Sequence, residues 1–201
     1  MDARMRRYYE RRAPEYDDWW HGSGRFERRD RPGWHDEVEA LCAALRGLAA
    51  ARTLDVACGT GFLTAHLPGE VTGLDQSEGM LAVAAERAPA ARLVLGDGLA
   101  PPFPDGAFER VHTGHFYGHL DAGQRERFLA AAARLAPELV VVDSALRPEV
   151  EAEAWEERVL DDGSRHRVYK RWFTPDGLRE ELGGGEVHFA GRWFVAVRRG
   201  P

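Results

Sequence analysis

Leu54-Asp55-Val56-Ala57-Cys58-Gly59-Thr60-Gly61, answered by Asp75 twenty residues after Asp55, decides how the rest of this 201-residue chain is read. The stretch has the pattern of a buried strand, a glycine turn and the start of a helix, with an acid waiting at the end of the next strand. A side chain at Gly59 or Gly61 would hold a ligand off the backbone, and glycine tolerates turn conformations that other residues avoid. An acid at the position of Asp75 offers a bidentate acceptor to paired ribose hydroxyls. The dinucleotide fingerprint needs a further glycine or alanine three positions after its second glycine. Thr64 stands there, which weakens a nicotinamide reading.

Working outward, strands read at 53–56, 71–74, 92–95, 110–113 and 139–143, and helices at 61–67, 77–88 and 121–135. Alternation of this kind argues for a mostly parallel sheet covered on both faces. Ligands of such sheets bind beyond the carboxyl ends of the strands, where the strand order reverses. Upstream, a helix over 3–19 carries Tyr8, Tyr9, Tyr16, Trp19 and Trp20, and Pro14 predicts a kink or a division into two. A second helix over 34–48 shows Val38, Leu41, Cys42, Leu45 and Leu48 at amphipathic spacing. Downstream, 149–158 reads as an acidic helix and Asp161-Asp162-Gly163-Ser164 as a hairpin turn. A strand over 166–173, a helix opened by Thr174-Pro175 and a closing antiparallel pair (187–189 and 193–197) complete the chain.

The net charge of −6 argues against a nucleic-acid partner, which needs Lys/Arg patches. No run approaches the ~20 apolar residues of a membrane span, and no apolar secretory block opens the chain, so a cytoplasmic location is expected. Cys42 and Cys58 lack disulfide-framework and metal-ligand spacing. Arg4, Arg6, Arg7, Arg11 and Arg12 load the first helix, and Arg25, Arg28, Arg29 and Arg31 the loop after it. These are either a solvated basic face or a positive rim that draws in an anionic small molecule. Lys170 is the chain's single lysine, retained by chance or because a compact ammonium is needed.

Asp55-Val56-Ala57-Cys58-Gly59-Thr60-Gly61 resembles motif I of the class I S-adenosylmethionine-dependent methyltransferases. Val71-Thr72-Gly73-Leu74-Asp75-Gln76-Ser77 resembles their second motif. Gly96-Asp97-Gly98 with Pro102-Phe103-Pro104-Asp105-Gly106-Ala107-Phe108 resembles the third, as found in the small-molecule "type 11" branch. The resemblance implies a Rossmann-like α/β fold: a seven-stranded, mostly parallel sheet with helices on both faces and an antiparallel last strand. It would be one domain over 1–201, with an N-terminal helical lid (1–50), a cofactor core (51–145), and a β-hairpin inserted after the fifth strand ahead of the closing strands (146–201). The implied cofactor is S-adenosyl-L-methionine, leaving as S-adenosyl-L-homocysteine. Asp55, Ala57, Gly59, Gly61, Thr113 and Gly114 would surround its methionine part, Asp75 the ribose, and Gln76, Met80, Asp97, Gly98 and Leu99 the adenine.

The acceptor decides what else is required. An amine or phenol has a proton to lose and benefits from a base; a carboxylate or phosphonate is already ionised and needs cationic clamps. His115, with His119 one helical turn on, is the candidate for contact with the acceptor, and a metal held by the two is disfavoured for want of further ligands. Tyr9 or Tyr16, from the lid, would lie over the methyl group, Tyr16 and His115 being the catalytic candidates. Tyr8, Tyr9 and Tyr16, the two histidines and the hairpin also resemble small phosphonate O-methyltransferases. That resemblance places Arg158 and Lys170 against an acceptor's anion. They share a face if the loop is Asp161-Asp162-Gly163, and point apart if it is Asp162-Gly163. The expectation is O-methylation of an anionic small molecule. N- or phenol O-methylation with a histidine base, or binding of S-adenosylmethionine without turnover, stand as alternatives. Oligomeric state is not legible.

Overall fold

A computed structural model describes residues 3–200; residues 1, 2 and 201, which the expected lid and domain bounds include, lie outside the described residues. Among the described residues, seven strands form one sheet: β1 (Ala51–Val56), β2 (Gly69–Asp75), β3 (Arg92–Leu95), β4 (Arg110–Gly114), β5 (Glu138–Ser144), β8 (Glu186–Ala190) and β9 (Phe194–Arg199). Their order is β3-β2-β1-β4-β5-β9-β8, and β9 runs antiparallel to both of its neighbours. The order reverses between β1 and β4, which places a crevice at the ends of those two strands.

Both faces are dry. Leu139 and Val141 of β5 join a core with Phe128, Ala132 and Leu135 of α5 (Ala122–Leu135) and with Leu178 of α6 (Pro175–Glu181). Val140 and Val142 point the other way, to Leu41, Cys42 and Leu45 of α3 (Trp34–Arg46). Each such side chain, taken fully out of water, contributes about 1.5–3 kcal/mol. Helix starts follow local chemistry. The Ser77 hydroxyl caps α4 (Glu78–Arg87) by accepting from Met80 N, and Asp121 with Gln124 closes a capping box on α5.

The first helix breaks at Pro14 as expected, into α1 (Ala3–Arg12), a 3₁₀ turn (Ala13–Glu15) and α2 (Asp18–His21). Two expectations fail. The helix over 61–67 is a turn ending in a 3₁₀ segment (Thr64–His66), because Thr64 gives its hydroxyl to Asp55 (2.6 Å) and Pro68 disfavours continuation. The acidic helix over 149–158 is instead strand β6 (Glu153–Val159), paired antiparallel with β7 (Arg165–Arg171). Its even-numbered residues turn inward, towards the N-terminal helices, while Glu153, Trp155 and Glu157 face water, a period of two. Gly163 closes the hairpin with φ +79°, and Leu160 pairs with Ser164. The loop is therefore Asp161-Asp162-Gly163, and Arg158 and Lys170 share the inward face.

Candidate functional site

The crevice holds two connected hollows. The larger, about 490 Å³ and open in part to solvent, is lined by Asp75, Gln76, Met80, Asp97, Gly98 and Phe116 at one end. Its other end is lined by Tyr9, Tyr16, Ala57, Gly59, Gly114 and His115. The smaller, about 320 Å³, shares Tyr16, Ala57, Gly59, Gly114 and His115 and adds Asp55, Thr60 and Leu63.

The larger hollow is built around a buried carboxylate. Asp75, at the end of β2, accepts from Gly59 N and Ser77 N, both at 2.9 Å. Burial raises its pKa to about 6, against the pull of these amides. A carboxylate so far removed from water awaits further donors, and two hydroxyls side by side supply them. Gly59 has φ +56°, and the nearest atom to a Cβ built on it is Tyr16 Cε1, 4.0 Å away, so its bare side faces the hollow. A Cβ on Gly98 would strike Val56 and Phe116 at 2.9 and 3.1 Å. Ala57 and His115 are the two described non-glycine residues with positive φ (both 57°), and both line the hollows. Backbone strain of this kind concentrates where a site imposes it.

The structure reassigns several residues. Gly61 lies off both hollows: its Cβ position is 3.1 Å from Ala84 Cβ, so the glycine lets α4 pack against the turn. Asp55 is held at both oxygens, by His112 Nδ1 (2.8 Å) and by Thr64 Oγ1. Thr113 turns its hydroxyl to Val56 O, and Leu99 gives its amide to Asp97 (2.9 Å); neither lines the hollows. Burial, with Asp55 and Asp75 nearby, pushes the Cys58 thiol well up, which suits a packed and inert side chain.

At the end of the larger hollow lined by Tyr9 and Tyr16, His115 sits in an aromatic cage of Trp19, Trp20 and Phe194, with ring centroids 4.8, 5.2 and 5.6 Å away. Its Nδ1 is 3.4 Å from Ser144 Oγ, and its Nε2 is buried with no hydrogen-bond partner. Burial lowers its pKa to about 3. Burial also raises the pKa values of the Tyr9 and Tyr16 hydroxyls. His119 bonds the Tyr169 carbonyl through Nδ1 (2.6 Å) and is likewise held neutral by burial. The two hairpin cations are already paired: Arg158 with Glu156 (2.9 Å), and Lys170 with Asp143, which also accepts from Gly118 N and Ser144 N. No group of three or more metal-ligating side chains occurs among the described residues.

Sequence reasoning missed Phe116 and the His112–Asp55 and Asp143–Lys170 pairs. The positive φ at Ala57 and His115 left no mark in residue type. As a set, a buried acid and glycine backbone at one end, and a second acid with a hydroxyl at the other, fit a nucleoside joined to an amino acid.

Residues 53–138 match the family model described as "Methyltransferase domain". Among curated proteins, the demethylmenaquinone methyltransferase of Staphylococcus aureus is 39% identical over 90 residues, covering 40% of this chain and 36% of the relative. That of Bacillus licheniformis is 36% identical over 90 residues, covering 40% and 38%. The chain thus spans little more than a third of the length of these relatives. Similarity to solved structures runs further. The DhpI–SAH complex superposes with a TM-score of 0.71 at 25% identity over 97% of this chain and 95% of that one. The glycopeptide N-methyltransferase MtfA shares the fold, with a TM-score of 0.60 at 23% identity over 81% and 88%.

Proposed function

We propose that this chain, whose residues 53–138 match a methyltransferase-domain family model, is a class I S-adenosylmethionine-dependent methyltransferase that methylates a small molecule at an anionic oxygen. S-adenosylmethionine supplies an electrophilic methyl carbon on a cationic sulfur. In this proposal Asp75 holds the ribose hydroxyls, and Gln76, Met80, Asp97 and Gly98 enclose the nucleoside. Asp55, braced by His112 and Thr64, faces the ammonium of the methionine part together with backbone at Gly114. Tyr9 and Tyr16 sit between the cofactor end and the hairpin, where their rings shield the sulfonium from water. Transfer then asks the protein for alignment and exclusion of solvent.

The neutrality of His115 carries the choice of acceptor. A base that removes a proton from an amine or phenol needs an affinity for protons near the working pH. His115, caged by three aromatic rings with its pKa near 3, has too little, and the tyrosine hydroxyls hold their own protons. A carboxylate or phosphonate needs no such base. His115 then serves as a neutral polar contact through its unpartnered Nε2. The DhpI–SAM–HEP complex, 24% identical with a TM-score of 0.73 over 97% of this chain, shares the fold.

A labelled-methyl assay over two pools tests the reading, one of carboxylic and phosphonic acids and one of phenols and amines. Label in the acid pool is expected. Label confined to the other pool would overturn the choice of acceptor, and none in either would favour a protein that binds the cofactor without turnover.

A further inference from the structure

The cations beneath the hairpin are not equally available. Arg158 and Lys170, placed there from sequence, are each matched by a carboxylate of the same cluster, Glu156 and Asp143. Arg12 is different. It ends α1, is 7% exposed, and its guanidinium lies 5.7 Å from the Tyr8 ring centroid and 4.6 Å from that of Tyr16. Among the described residues its one hydrogen-bond acceptor is the Tyr8 hydroxyl (2.7 Å), and it makes no ion pair. A guanidinium has five N–H donors, so this buried fork is under-used. Arg12, Arg158 and Lys170 all bear on His119, whose pKa burial and these charges depress. Three cations therefore meet two carboxylates, a single positive charge in excess, and Arg12 carries it against Tyr16, a residue that lines the larger hollow.

We propose that Arg12 is the residue that pairs with the acceptor's oxyanion, a carboxylate or phosphonate head entering between Tyr16 and the hairpin, while Arg158 and Lys170 frame the chamber without net charge. The inference rests on the anionic-acceptor reading and assigns its charge recognition to the lid rather than to the hairpin. A planar fork held between two tyrosine rings is pre-oriented for two parallel hydrogen bonds to such a head. It also follows that the acceptor's charge helps to hold α1 in place, because the residue it engages belongs to that helix.

Methylphosphonate serves as the probe, titrated by phosphorus NMR into protein saturated with S-adenosylhomocysteine. The wild type is expected to bind it saturably, and Arg12→Met at least tenfold more weakly, with its affinity for S-adenosylhomocysteine retained. Glu156→Gln frees Arg158, adds a second uncompensated charge and is expected to tighten binding several-fold. If the wild type binds and Arg12→Met binds equally well, the assignment to Arg12 is wrong while the acceptor reading stands. Should Arg12→Met fail to fold, Arg12→Lys, which keeps the charge and loses the planar fork, is read in its place, and affinity equal to the wild type overturns the inference. Absence of saturable binding in the wild type removes the anionic acceptor and this inference together.

Discussion

Asp75 combines two demands in one side chain. Its amide partners organise the turn between β1 and α4, yet burial leaves the carboxylate more easily protonated than an exposed one, with a pKa of about 6. Ribose hydroxyls donate to the ionised form, so binding must lower that pKa and, below it, expel a proton. Affinity for S-adenosylhomocysteine is therefore expected to be flat from pH 7 to 8 and to fall towards tenfold per unit below about pH 6. Calorimetry across that range, in buffers of differing ionisation enthalpy, reads both the affinity and the proton released. An affinity unchanged down to pH 5 would place the ribose elsewhere. Position and residue type made Asp75 legible in the sequence. The bracing of Asp55 by His112 and Thr64 was not, because those contacts depend on β4 lying beside β1 and on the turn refusing to become a helix.

Elements explain where sequence reading succeeded and where it stopped. Strands β1 to β5 were legible because apolar runs separated by glycine and proline leave few alternatives at those lengths. Strand β6 was not, since Glu149 to Arg158 is rich in Glu and Ala, and acids on both faces hide the period of two. The hairpin register turned on one backbone angle, that of Gly163, which sequence leaves open between two loops. The lid is a third case. Its aromatic content was visible, but its anchors were not: Glu10 accepts from Ser77 Oγ (2.7 Å) and Gly79 N (2.9 Å) at the start of α4, Asp17 meets Thr60 and Arg87, and Glu15 and Arg25 meet Asp161 on the hairpin. These anchors are polar and several are exposed, whereas Tyr8, Arg12 and Trp20 of the same segment are buried, so opening is expected first at the exposed anchors. S-adenosylhomocysteine, which we propose lies under Tyr9 and Tyr16, is expected to slow tryptic cleavage within residues 3–31, and Glu10→Gln to accelerate it. Equal cleavage rates with and without ligand would contradict a lid closed by the cofactor.

Across the whole molecule, the sheet sets two chemistries on either side of one strand-order reversal. Carboxylates Asp55, Asp75 and Asp97 and bare backbone line the hollows proposed to take the cofactor, while Arg12, Arg158, Lys170 and His119 gather where α1 meets the hairpin. The negative overall charge conceals this division, which is why composition argued against nucleic acid yet left the acceptor open. No described helix is long and apolar enough to cross a membrane. Everything proposed about the acceptor presupposes that the larger hollow takes the nucleoside of S-adenosylmethionine through Asp75. The most direct test is a calorimetric titration of S-adenosylhomocysteine into the wild type and Asp75→Ala at pH 7. One saturable site, weakened at least tenfold by the substitution, about the worth of a charge-assisted pair of hydrogen bonds, is the predicted result. No binding by the wild type, or equal affinity in both proteins, would contradict it.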